Sequence, residues 1–121
     1  MARLILLTQR AFAPAIAPTL QAAGADVTVA VTLAELETAL AQPARVISFG
    51  SGVIVPPPLL ARLKGPAYNF HPGPPEYPGI FPSVFALYAG EKEFGVTLHE
   101  MAAAVDSGPI VSVERLSLIH I

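Results

Sequence analysis

Apolar residues along this chain fall into short runs of strand length, separated by stretches with helical spacing. Arg3–Leu7 (RLILL) has the length of a buried strand. Residues 12–23 place Phe12, Ile16, Leu20 and Ala23 on one helical face, and Gly24 ends that stretch. Pro14 suits a first turn, whereas Pro18 is expected to kink or delay the helix. Asp26–Val31 (DVTVAV) is β-branched and reads as a second strand. Thr32 with Glu35 three residues on forms a capping box, and Leu33, Leu36 and Leu40 make the buried stripe of the helix it opens. Arg45–Phe49 gives a third strand, Leu59, Leu60 and Leu63 another short helix, and Ala67–Phe70 a fourth strand. Strand alternating with helix at this spacing predicts an α/β fold, a Rossmann-like parallel sheet flanked by helices. An order of 3-2-1-4 is expected for the first four strands, with the fourth beside the first and Asn69 near the reversal of the sheet.

The second half changes character. Pro82 can start a helix that packs through Val84, Phe85, Leu87 and Tyr88, and Gly90 closes it. Phe94–Glu100 alternates, with Phe94, Val96 and Leu98 on one face and Gly95, Thr97 and His99 on the other. Asp106–Gly108 (DSG) reads as a tight turn before a last strand, Ile110–Val113.

Composition narrows the function classes. Charged residues make up 13% of the 121 positions, against a typical ~25%, and net charge is -2. A disordered charged tail, a coiled coil and a broad basic nucleic-acid face are all excluded. An RNA substrate held by residues outside this chain is not. With no cysteine there is no disulfide, thiolate metal site or thiol nucleophile, and no metal is expected. No apolar run reaches the ~18–20 residues of a spanning helix, and the N-terminus is too short and too soon polar for a signal peptide. A soluble, cytoplasmic chain is expected. The 13 prolines are the unusual feature; they cluster at 56–58 and at 72–82, where they fix the path of loops.

Proton-handling side chains are scarce, which makes their positions informative. The turn after Leu7 reads TQRAFAPAI, so neither a G-x-G-x-x-G dinucleotide loop nor a Walker loop is present. Asn69 and His71 flank Phe70 at the end of the fourth strand. Residues two apart on a strand face the same way, so an amide and an imidazole are expected to share one crevice. Open α/β sheets bind ligands at the carboxyl ends of their strands. Pro72, Gly73, Pro74 and Pro75 then stiffen the loop behind them. Taken singly, each of these residues, Asp106 and the three tyrosines has an ordinary packing or turn role.

Taken together they have a likeness. YNFHPGPPEYPG (68–79) followed by GVTLHEMAAAVDSGPIV (95–111) resembles the signature of the folate-dependent formyltransferases, with His71 and Asp106 35 positions apart. The segment ISFGSGVIVPPPLL (47–60) resembles the stretch preceding that family's catalytic strand. The resemblance implies a formyltransferase-type fold that transfers a formyl group from 10-formyltetrahydrofolate to an amine. It implies Asn69 and His71 as donors to the formyl oxygen, and Asp106 as the group that orients His71 and helps move the proton. It places Val53, Ile54, Val55, His99, Val105 and Gly108 around the folate, and requires no metal. Sugar amine, nucleotide amine and aminoacyl-tRNA all stand as acceptors, with hydrolysis of the donor, or binding without turnover, as the alternatives.

Departures from the family pattern concern the acceptor. The first loop lacks the Gly/Ser/Asn-rich composition that holds a substrate phosphate in some members, and Glu76 puts a carboxylate where others are neutral or basic. The C-terminus is also odd. Leu116–Ile121 (LSLIHI) is what CTGTCTCTTATACACATC, the end of a transposase-based sequencing library, encodes. The expectation is therefore a partial catalytic domain over residues 1–115, adapter read-through over 116–121, and a native chain that continues past Arg115.

Overall fold

The computed structural model describes residues 2–63, 65–73, 75–76, 88–102 and 108–117. Nine elements follow one another among them: β1 (Arg3–Thr8), α1 (Ala13–Ala22), β2 (Asp26–Ala30), α2 (Leu33–Ala39), β3 (Arg45–Phe49), α3 (Pro57–Leu60), β4 (Tyr68–His71), β5 (Glu93–Glu100) and β6 (Ile110–Ser117). The strands form one sheet in the order β2-β1-β3-β4-β5-β6. β1 to β4 pair in parallel, and β5 and β6 are added antiparallel. The fold is α/β, as the alternation of strand and helix implied, and the parallel sheet expected from that alternation is extended by two antiparallel strands into a mixed one.

The expected order 3-2-1-4 is wrong. β4 lies beside β3, not β1, and the reversal falls between β1 and β3, one strand away from Asn69. This is the flavodoxin-like order of doubly wound sheets. Burial explains it. Five successive residues of β1, Leu4 to Thr8, are buried, so that strand needs neighbours on both sides and cover on both faces. β2 carries an exposed Asp26 and an exposed Val29, which an edge strand tolerates and an internal one does not.

Local chemistry sets the helices. Glu35 donates its backbone N–H to Thr32 Oγ1 at 3.1 Å, the cap expected for α2. The reciprocal bond runs from the Thr32 hydroxyl to Glu35 Oε1 at 3.2 Å, so the box closes through side chains. α1 starts at Ala13 with Pro14 in its first turn and continues through Pro18, giving up one backbone hydrogen bond rather than ending. Gly24, at φ 98°, reverses the chain after it.

The main core lies on one face of the sheet, where Leu36 of α2 and Leu59 of α3 meet Ile5, Leu7 and Val46. Burying Leu36 completely stabilises the fold by about 1.5–3 kcal/mol. α1 covers the other face less fully and has no buried residue. There Phe12, Phe49 and Phe70 form an aromatic row, with ring centroids 6.4 Å and 5.6 Å apart. Of the packing residues expected for the helix from Pro82, only Tyr88 is described. It is 93% exposed and so is not the packing residue expected. β6 runs past Val113, with Leu116 and Ser117 opposite Phe94 and Glu93 at the sheet edge. Residues 118–121 of the expected read-through lie outside the described residues.

Candidate active site

Strand register builds the site. Ser48 of β3 pairs with Asn69 of β4, Asn69 with His99 of β5, and His71 with Thr97. Paired residues share a face, so this polar row continues the core face of the sheet toward its β5 side. His71 and His99 are each only 4% exposed, and Thr97 and Ser48 are buried too. β5 turns its polar side inward: Gly95, Thr97 and His99 are buried while Phe94, Val96 and Leu98 are half-buried. A strand that buries hydroxyl and imidazole in preference to Phe and Leu does so at a cost, unless those groups are bonded.

They are bonded. Asn69 Nδ2 lies 3.2 Å from His99 Nε2, and His99 Nδ1 lies 2.8 Å from the Glu100 carbonyl. A carbonyl only accepts, so Nδ1 carries the proton and Nε2 accepts from the Asn69 amide. Thr97 donates its hydroxyl to the Gly73 carbonyl at 2.7 Å, and Gly73 N–H bonds back to the His71 carbonyl at 2.8 Å. The turn after His71 is thus fastened to β5. A register shift between Leu98 and His99 bulges the β5–β6 ladder beside this cluster.

The expected site residues divide into four groups. Asn69, His71 and His99 are brought together on one face. Asp106 and Val105 lie outside the described residues. The folate-segment residues differ among themselves: Val55 is buried in the core, Val53 packs against it, and Ile54 is 63% exposed. Gly108 is buried against the Glu100 carbonyl, so close that a Cβ there would overlap the oxygen. Thr97 and Ser48 join this buried polar row without being expected there. The alternation of Thr97 with His99 was the available signal for the first. Among the described residues no cluster of His, Asp or Glu could hold a metal ion, and no helix is long and apolar enough to cross a membrane.

Glu76 has a partner that its sequence position did not disclose. Arg115 of β6 reaches it at 2.9 Å, which ties the loop after β4 to the last strand. The Arg115 hydrogen bond, helped by a backbone hydrogen bond, holds the Glu76 carboxyl below its ordinary value of 4.5. Stability from a carboxylate lowered in this way is complete above 4.5 and is lost as pH falls through the lower folded value. Both side chains are exposed, so the contribution is small and salt-screened. An NMR titration of Glu76 should show a midpoint below 4.5 that rises in Arg115→Gln; an unmoved midpoint would remove the pairing.

The formyl transferase family model matches residues 34–120, from α2 through β6. The chain belongs to the formyl transferase family. A phosphoribosylglycinamide formyltransferase of Mycobacterium tuberculosis is 36% identical over 92 residues, covering 75% of this chain and 41% of the relative. The chain therefore spans about two fifths of that relative's length. Among solved structures, a candidate sugar N-formyltransferase of M. tuberculosis superposes with TM-score 0.79 at 29% identity, over 98% of this chain and 56% of that one. HypX of Aquifex aeolicus, solved with tetrahydrofolic acid, shares the fold with TM-score 0.72 at 24% identity, over 98% of this chain and 22% of that one.

Proposed function

We propose that this formyl transferase domain moves a formyl group from 10-formyltetrahydrofolate to an amine by direct attack. The observation carrying this reading is the convergence of Asn69, His71 and His99 on one sheet face, at the carboxyl end of β4, in a chain of this family. A tetrahydrofolic acid complex of a protein with the same fold supports a folate-type donor.

The donor set fits such a molecule. A buried imidazole and a half-buried amide supply N–H groups to an acyl oxygen, and the reaction asks for no thiol, of which the chain has none. Ile54, exposed on the extended segment after β3, offers apolar surface to a flat ring. The bound folate supplies a formyl carbon on a nitrogen leaving group. As the amine nitrogen bonds to that carbon, Asn69 and His71 donate to the oxygen on which charge builds. Asp106 orients His71 and relays the proton from the attacking amine to the departing folate nitrogen as the old carbon–nitrogen bond breaks. β4 holds both donors between two hydrogen-bonded neighbours, β3 and β5, so little alignment entropy is left to lose.

Relatives named for a phosphoribosylglycinamide and for a sugar leave the acceptor as an unspecified amine. The assay follows tetrahydrofolate release by the full-length protein, with nucleotide amine, sugar amine, aminoacyl-tRNA and water offered in turn. Transfer to one amine is expected. Release with water alone makes it a hydrolase, and binding without release makes it a folate-binding protein. Asp106→Asn should keep donor affinity and lower the chemical step by about 10²-fold or more. Unchanged turnover in that variant would remove Asp106 from the mechanism.

A further inference from the structure

The resemblance put His99 against the folate, but both of its ring nitrogens are engaged within the chain, one on Asn69 and one on the Glu100 carbonyl. We propose that His99 is a positioning residue that selects which end of the Asn69 amide is presented to the reacting oxygen. This rests on the formyl-transfer reading and gives that site a further part.

An amide is nearly symmetric. Its NH2 and C=O ends have almost the same shape, and rotation about the last side-chain bond exchanges them. Only one orientation serves an oxygen that gains negative charge; the other sets a lone pair against it. The Glu100 carbonyl keeps the proton on His99 Nδ1, which leaves Nε2 as an acceptor. That acceptor takes one of the two Asn69 Nδ2 hydrogens. The amide is then held with nitrogen toward His99, and the second hydrogen on the same nitrogen remains to be donated. The ring itself is buried and sits opposite Asn69 in the β4–β5 register, so the selecting group cannot swing away.

Four single variants and one double variant of the full-length protein test this. His99→Leu removes the acceptor and should lower kcat by about 10–100-fold while leaving donor affinity near wild type. His99→Gln, whose side-chain oxygen can replace Nε2, should recover most of that loss. His99→Asn has similar polarity but is one methylene short of Asn69, and should not. In an Asn69→Ala background His99→Leu should cost nothing further, since the amide it orients is gone.

Wild-type kcat in His99→Leu overturns the proposal, as does a further equal loss in the Asn69→Ala background. A donor affinity that falls while kcat holds would return His99 to folate contact. If His99→Leu does not fold, equal kcat for His99→Gln and His99→Asn overturns the proposal instead. Full turnover in Asn69→Ala alone defeats the formyl-transfer mechanism. Loss in Asn69→Ala with none in His99→Leu defeats this inference only.

Discussion

Replacing His71 by alanine in the full-length protein is expected to lower kcat by about 10²–10³-fold, the effect of losing about 2.7–4 kcal/mol of oxyanion stabilisation. The imidazole is buried at the end of β4, on the same face as Asn69 and beside Thr97. A donor fixed in that way needs no reorganisation when charge develops, and water cannot substitute for it at equal strength. Donor affinity should change little, because the interaction strengthens only as the oxygen becomes negative. Single-turnover release of tetrahydrofolate separates the two effects. If kcat in His71→Ala stays within about threefold of wild type, the site is misassigned however well the fold agrees.

Gly108→Ala is expected to cost about 3 kcal/mol of folding stability, the upper end of ordinary overpacking. A Cβ at this position would overlap the Glu100 carbonyl oxygen and lie 2.6 Å from its carbon. Both partners are backbone, so no side chain can turn aside. Glu100 N–H bonds to the Pro109 carbonyl at 2.8 Å, and Met101 N–H to the Ala67 carbonyl at 2.8 Å. Relief of the overlap would have to part the end of β5 from the start of β6 at the first of those bonds, or from the start of β4 at the second. Denaturant unfolding of the full-length variant measures the loss. A stable variant with weakened donor binding would make Gly108 a folate residue, as the sequence likeness had it, rather than a packing one.

The parallel βαβ part of the fold was readable because its signals are local. Apolar runs gave β1 and β3, and Thr32 with Glu35 gave the start of α2. Strand order was not readable. Periodicity tells which residues share a face, but says nothing of which strand lies alongside. The edge character of β2 rests on the exposure of Asp26 and Val29, a tertiary property. β5 shows the same limit: its two faces were legible, but not that the polar one points inward. Asn69 and His71 could be set on one face from their spacing alone. The partner of Asn69 required the register, which sets His99 opposite it 30 residues on, and that of Glu76 required the packing of its loop against Arg115, 39 residues on.

The loop after β1 and the loop after β3 are interlocked. Gly50 has φ 64°, and the ring of Phe12 occupies the place a side chain there would take, 2.7 Å from an added Cβ. Gln9 reaches across to the Gly50 carbonyl at 2.8 Å, and Thr8 donates to the Phe49 carbonyl at 2.6 Å. The two loops flank the reversal of the sheet, where doubly wound folds take their ligands. Neither can therefore be transplanted alone. A graft of residues 9–12 from a relative with a smaller residue at 12 would leave Gly50 uncovered, and a non-glycine residue at 50 would evict Phe12. Replacing either loop on this scaffold is therefore a two-loop change.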